Sequence, residues 1–137
     1  MDSQFDVAVL VVGSRHTCDV CKGCLRNYVE YVGTATTQRE ALGKAYSVVY
    51  DAVIVQCDTL ANDGLDGLLI LDAIRSKYES IPGRTAYIIL SDAATTECFP
   101  VGDAASFIKL PIQRDSLIHE LESAMLSAGV KVASLLN

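Results

Sequence analysis

Residues 51–60 read DAVIVQCDTL, a short apolar run that ends in a glutamine, a cysteine and an acid. The apolar part, residues 51–56, predicts a buried β-strand, because runs of this length and valine content are typical of strands rather than helices. The polar residues behind it raise the question of function. Gln56 and Asp58 belong either to a working site or to an ordinary loop.

A second strand of the same kind occupies residues 5–12, FDVAVLVV, where apolar residues do not alternate with polar ones. Such continuous apolar strands are typical of parallel sheets covered on both faces. Further strands are predicted at residues 31–35, 85–90 and 105–109, and helices at residues 17–29, 38–46, 67–78 and 116–127. Strands that alternate with helices predict an α/β fold, a three-layer α/β/α sandwich around a parallel sheet.

Two local signals refine this order. Thr37, with Glu40 three residues later, predicts an N-cap for the second helix. Residues 92–103, DAATTECFPVGD, carry two adjacent threonines, Pro100 and Gly102, so the helix expected between the last two strands should be shortened or irregular.

Length and composition limit the function classes. The chain has 137 residues, of which 50% are hydrophobic, and predicts one domain over residues 1–127 with a tail or linker at 128–137. Seventeen acidic and eleven basic residues give a net charge of −6, which argues against direct nucleic-acid binding. No apolar run is long enough to span a membrane. Without a basic leader, and with five cysteines, the chain is expected to be cytoplasmic and reduced.

In open parallel sheets, polar chemistry collects at the carboxyl ends of the strands. The candidate functional residues are therefore those that follow the predicted strands: Gly13, Ser14, Gln56, Cys57, Asp58, Ser91, Asp92 and Lys109.

Over residues 5–127 the sequence resembles the receiver domain of bacterial response regulators, the chemotaxis-Y-like family. The matching segments are DAVIVQ at 51–56, LDGLLILDAIR at 65–75, IILS at 88–91 and GDAASFIKLP at 102–111. The resemblance implies a flavodoxin-like, five-stranded sheet of order 2-1-3-4-5 and a role in two-component phosphorelay signalling. It also implies that Ser91 is the hydroxyl residue of the family.

The sequence departs from the family at the phospho-acceptor pocket. Family members hold magnesium with two acids after the first strand and with the acceptor aspartate, and this chain has Gly13, Ser14 and Gln56 at those places. A glutamine amide is neither a nucleophile towards phosphorus nor a charged ligand. Aligning Pro111 with the family proline puts a leucine where the lysine belongs and turns Lys109 to the opposite face. These residues predict a degenerate pocket, a pseudo-receiver, without cofactor or metal.

One alternative keeps a working acceptor. Asp58 lies two residues past Gln56 and would share its side of an extended chain, so a shift of register could make it the phosphorylated residue. The next loop admits two registers as well. The family Asp-Gly corresponds either to Asp66-Gly67, which we prefer because the helix pattern is kept, or to 63–64 without an insertion.

Cys18, Cys21 and Cys24 form a C-x-x-C-x-x-C pattern. A zinc or iron–sulfur site needs a fourth ligand, so packing of small apolar side chains is the preferred interpretation. A helical stripe puts Cys21 and Cys24 in the core and Cys18 at its edge. Redox sensing is the next alternative, because the first turn of a helix lowers a thiol pKa.

Three functions follow from these observations. The first is a non-enzymatic signalling module that contacts a protein partner, namely a sensor kinase, an output domain or another signalling protein, with a homodimer as a further option. The second is a receiver phosphorylated at Asp58. The third belongs to another class, a small flavodoxin-like enzyme or cofactor carrier, for which the segment after the first strand is a poor phosphate loop.

Overall fold

A computed structural model describes residues 5–57, 67–80, 85–91 and 105–129 of the chain. Its strands are β1 (Phe5–Val12), β2 (Val29–Ala35), β3 (Ala52–Gln56), β4 (Ala86–Ser91) and β5 (Ala105–Lys109). The helices in the described residues are α1 (Arg15–Leu25), α2 (Gln38–Ser47), α3 (Gly67–Glu79) and α4 (Arg114–Ala128). None of these helices combines the length and apolar character needed to cross a membrane.

The five strands form one parallel sheet in the order β2-β1-β3-β4-β5. The predicted fold class, a flavodoxin-like α/β sandwich with strand order 2-1-3-4-5, is therefore confirmed. The predictions for the irregular helix at 92–103 and for the tail beyond residue 129 concern residues outside the described part, so they remain predictions.

Two apolar layers cover the sheet, one on each face. Helices α1 and α4 pack on one face, against side chains that include Val9, Val11, Ile54, Ile88 and Leu90. Helices α2 and α3 pack on the other, against Leu10, Val12, Val53, Val55 and Ile89. Neighbouring residues of β1, β3 and β4 thus alternate between two apolar cores, which explains why residues 7–12 of β1 and 52–55 of β3 are all apolar.

The predicted bounds of helices α1 and α4 were wrong by one to four residues. Helix α1 begins at Arg15 and ends at Leu25, whereas the apolar stripe predicted a helix over 17–29. The helix starts early because the Ser14 hydroxyl caps it by accepting from the Thr17 N–H. It ends early because Val29 is already the buried first residue of β2. Helix α4 spans Arg114–Ala128 instead of the predicted 116–127.

The predicted cap of α2 is present. Thr37 Oγ1 accepts from the Glu40 N–H at 3.1 Å, and Glu40 Oε1 accepts from the Thr36 N–H at 2.8 Å. The return bond reaches one residue further out than in the usual capping box, where the glutamate binds the N-cap amide itself. Two N–H groups at the start of α2 are thereby satisfied.

Asp51 joins three strands at the amino end of the sheet. Its carboxylate accepts from the Ala8 N–H at 2.8 Å, beside an irregularity in the β1–β2 register. Its own N–H donates to the Ala8 carbonyl at 2.8 Å, and its carbonyl accepts from the Ala86 N–H at 2.9 Å. One residue before β3 therefore fixes the starts of β1 and β4, and with them the register that aligns the opposite ends.

Candidate functional site

Gln56, Ser14 and Gly13 meet at the carboxyl ends of β1 and β3. The Ser14 N–H donates to Gln56 Oε1 at 2.8 Å, although the two residues lie 42 positions apart in the chain. Parallel pairing of β1 with β3, where Val12 is opposite Val55, brings these two strand ends side by side. The glutamine amide thus binds directly to the loop that follows β1.

Gly13 is buried beneath the Gln56 side chain. A Cβ at Gly13 would lie 2.7 Å from Gln56 Oε1 and 2.9 Å from Gln56 Cβ, which is closer than side-chain atoms approach in proteins. The Gly13 N–H donates to the Ala35 carbonyl at 3.1 Å, so the backbone is held towards β2 at the same time. Because Gly13 has no side chain, the Gln56 side chain can occupy the space beside its Cα.

Both the backbone N–H and the side-chain hydroxyl of Ser14 form hydrogen bonds. Besides capping α1 through the Thr17 N–H at 3.2 Å, its hydroxyl lies 3.1 Å from Thr17 Oγ1. Thr17 is buried with 5% exposure, whereas Ser14 itself is exposed. The loop after β1 is therefore fixed by neutral hydrogen bonds at Gly13, Ser14 and Thr17, and it presents no carboxylate to the site.

Ser91, the last residue of β4, is buried with 4% exposure. Backbone bonds tie its surroundings together, because the Cys57 N–H donates to the Leu90 carbonyl at 2.8 Å and the Leu110 N–H donates to the Ser91 carbonyl at 2.9 Å. The ends of β3, β4 and β5 are thus held level, with Ser91 on the middle strand.

Lys109 and Gln56 leave opposite faces of the sheet. Phe107, two residues before Lys109, packs against the α2 and α3 layer, whereas Ile54, two residues before Gln56, is in the α1 and α4 layer. Residues two apart in a strand share a face. Leu110 packs against the α1 and α4 layer, while Lys109 is exposed and lines a groove of about 470 Å³ between β5 and α4. The structure therefore places Leu110, not Lys109, on the side of Gln56.

Acidic residues do not gather at this edge in the described part of the chain. Across residues 5–57, 67–80, 85–91 and 105–129, no three His, Cys, Asp or Glu side chains are arranged to hold a metal ion. Asp58 and Asp92 lie outside the described residues. Of the sequence candidates, the structure brings Gly13, Ser14 and Gln56 into contact and leaves Lys109 apart from them.

Burial raises the pKa of the α1 thiols instead of lowering it. The prediction that Cys18 lies at the edge of the core was wrong. Cys18 is 3% exposed, and its Sγ lies 3.5 Å from the Ala35 carbonyl, 3.6 Å from that of Gly13 and 3.7 Å from that of Val11. Burial raises the pKa of Cys18 above its ordinary value and outweighs the hydrogen bonds that lower it. Cys24, predicted in the core, is instead partly exposed.

A buried thiol and a buried phenol with raised pKa values predict that the folded protein is less stable at alkaline pH. Burial raises the pKa of Cys21 from 9.0 to about 12 and that of Tyr50 from 10.0 to about 12. The unfolded chain loses these protons first, so the free energy of unfolding should be unaffected below about pH 9 and fall above it, by up to about 1.4 kcal/mol per pH unit for each group.

Urea unfolding at about pH 8 and about pH 10 measures this fall. Cys21→Ala removes one titrating group and should reduce the difference between the two pH values, even though the variant is less stable at both. Equal pH dependence in the variant and the unsubstituted chain would show that the Cys21 thiol is not the buried group responsible.

The fold of this chain is similar to that of the receiver domains of response regulators. The computed structure matches solved receiver structures of two regulators. One is the response regulator TrrA from Thermotoga maritima in complex with magnesium and BeF, with 24% identity, a TM-score of 0.69, and coverage of 86% of this chain and 98% of that chain. Another is the chemotaxis response regulator CheY4 of Vibrio cholerae, with 24% identity, a TM-score of 0.69, and coverage of 87% and 98%.

The chain is also similar to NtrX from Brucella abortus in complex with ATP, with 23% identity, a TM-score of 0.75 and coverage of 90% of this chain. It spans only 28% of the NtrX chain. No family model matches the sequence, and no curated protein matches it either. At these identities the similarity establishes the receiver fold, and the function has to be argued from the site.

Proposed function

We propose that this chain is a pseudo-receiver, a signalling module that does not accept phosphate and acts through contacts with other proteins. The observation that carries the proposal is the hydrogen bond of 2.8 Å between Gln56 Oε1 and the Ser14 N–H. At the strand end where the receiver resemblance puts the acceptor aspartate, this chain has a neutral amide that is already bound to its neighbour.

The chemistry of the side chains supports this proposal. Phosphoryl transfer to a receiver needs a carboxylate oxygen as nucleophile and a divalent cation to neutralise the phosphate. Gln56 provides neither a nucleophile nor a charge, since its nitrogen lone pair is delocalised. Gly13 and Ser14 bring no carboxylate from β1. A lysine to bind the transferred phosphoryl group is also lacking on the Gln56 side, where Leu110 packs.

The partner is then a protein that recognises a fixed shape rather than a phosphorylation state. A sensor kinase, an output domain or another signalling protein in the cytoplasm fits the receiver fold, and no catalytic activity is proposed. The net charge of −6 and the lack of a run of basic residues argue against direct contact with nucleic acid.

Incubation with magnesium and acetyl phosphate, followed by mass spectrometry of the intact protein, tests the proposal. We expect no phosphoryl adduct, while a receiver that phosphorylates itself under the same conditions serves as the positive control. A preparation that is yellow with bound flavin would contradict the proposal from another direction, because it would identify a cofactor carrier.

The same experiment examines the alternative acceptor. An adduct that is lost in Asp58→Asn but kept in Asp72→Asn, a matched change at an exposed acid of α3, would establish phosphorylation at Asp58 and overturn the proposal. An adduct that survives both changes would point to another residue and would overturn it equally.

A further inference from the structure

Strand β2 lies at one end of the sheet, so one of its two edges has no neighbouring strand within residues 5–57, 67–80, 85–91 and 105–129. The Ala35 carbonyl accepts from the Gly13 N–H and therefore points towards β1. Backbone groups of successive strand residues point to alternate sides, so those of Thr34 and Thr36 point away from β1. These outward groups are the ones that an added strand would bind.

Two side chains of α2 occupy these outward groups. Lys44 Nζ donates to the Thr34 carbonyl, and Glu40 Oε1 accepts from the Thr36 N–H at 2.8 Å. The two residues are four positions apart, so they lie on the same side of the helix. A cation thus covers one outward acceptor of this edge, and an anion covers one outward donor.

We propose that α2 closes the β2 edge, and that Lys44 and Glu40 prevent a second copy of this chain from adding its own β2 to the sheet. An uncovered edge strand is a template for pairing with another chain, and lysine on the edge is one of the means by which proteins block it. Both blocking groups belong to the same helix, which is packed on β2 through the buried residues Ala41 and Ala45.

A second copy is the partner that this edge fits, because apolar side chains accompany it. Tyr31 of β2 is 50% exposed and stacks on Tyr50 with ring centroids 6.3 Å apart, and the adjacent Val48 and Val49 are 50% and 46% exposed. In a two-fold pair, each copy presents the same strand and the same apolar residues to the other. Pairing of two β2 strands would therefore bring the exposed Tyr31 of each copy to the interface.

The test removes both blocking groups and measures the mass of the particle in solution. The double variant Glu40→Ala/Lys44→Met should form dimers of twice the chain mass in light scattering after gel filtration over a series of concentrations. The matched control Glu40→Gln/Lys44→Arg keeps an acceptor and a donor of similar reach, and it should have the mass of the unsubstituted chain.

A third substitution locates the association at the edge. Proline at position 32 removes an N–H that points away from β1, so β1–β2 pairing keeps its own bonds, whereas an added strand loses one. Val32→Pro in the double-variant background should restore the mass of the unsubstituted chain.

The single variant Lys44→Met keeps the α2 cap at Thr37 and Glu40, so it opens the carbonyl without weakening the helix start. It should show the same association at higher concentration. Folded double and single variants, judged by circular dichroism, that keep the mass of the unsubstituted chain would overturn the proposal. Association that persists with proline at position 32 would overturn it as well, because it would place the contact elsewhere.

Discussion

Replacing Gly67 by alanine is expected to lower the free energy of unfolding by about 3 kcal/mol or more, measured by urea denaturation. A Cβ at this first residue of α3 would lie 2.3 Å from the Gln56 carbonyl oxygen and 2.7 Å from Cys57 Sγ. The nearest atom belongs to the backbone, so relief requires movement of the β3 end or of the whole helix. Movement of the β3 end would also displace Gln56.

The control for this change is Gly43→Ala, at a glycine inside α2 where an added Cβ meets no atom within 4 Å. Alanine is the better helix former, so this variant should gain roughly 0.5–1 kcal/mol. A loss of stability in Gly67→Ala and a gain in Gly43→Ala would separate the effect of steric crowding from that of backbone conformational freedom. A Gly67→Ala variant of unchanged stability would mean that β3 and α3 are further apart than described.

Tyr78→Phe is expected to cost about 1–3 kcal/mol, since one buried hydroxyl serves three backbone groups. Tyr78 Oη accepts from the Tyr50 N–H at 3.1 Å and lies 2.9 Å from the Ala45 carbonyl and 3.0 Å from the Val48 carbonyl. Phenylalanine keeps the ring but leaves a buried N–H without its acceptor. The turn between α2 and β3 is where the loosening should appear, as faster hydrogen exchange at Tyr50.

Tyr46→Phe is the matched change at an exposed position. Its side chain is 50% exposed, and its described contact is between the ring and Lys77 Nζ at 5.5 Å, which phenylalanine can also make. The stability should therefore change by less than about 0.5 kcal/mol. Equal losses in the two variants would argue that the Tyr78 hydroxyl has no special role.

The fold could be predicted from the sequence because the patterns that specify it lie within single strands and helices. Continuous apolar runs at β1 and β3 required two covering layers, and the helix stripes between them required crossovers. The position of Gln56 at the end of β3 followed from the same pattern, as did the start of α3 at Gly67. The side assigned to Lys109 followed from counting residues along a strand.

Contacts between distant residues were beyond such reasoning. Nothing in the sequence indicates that the Ser14 N–H binds Gln56, because the bond depends on how far the loop after β1 turns. The burial of Cys18 was missed because a helical stripe shows which side faces the core but not where the strand ends cover it. Glu40 and Lys44 looked like ordinary helix residues, and only the position of α2 beside β2 gives them a partner.

The hydrogen bond between Ser14 and Gln56 joins two groups that carry no charge and do not titrate near neutral pH. We therefore expect its strength to change little with salt concentration or with pH near neutrality. If the proposed function holds, this bond takes the place of an aspartate that a sensor kinase could phosphorylate. On the proposed function, a cell would adjust its influence by making more or fewer copies of the protein.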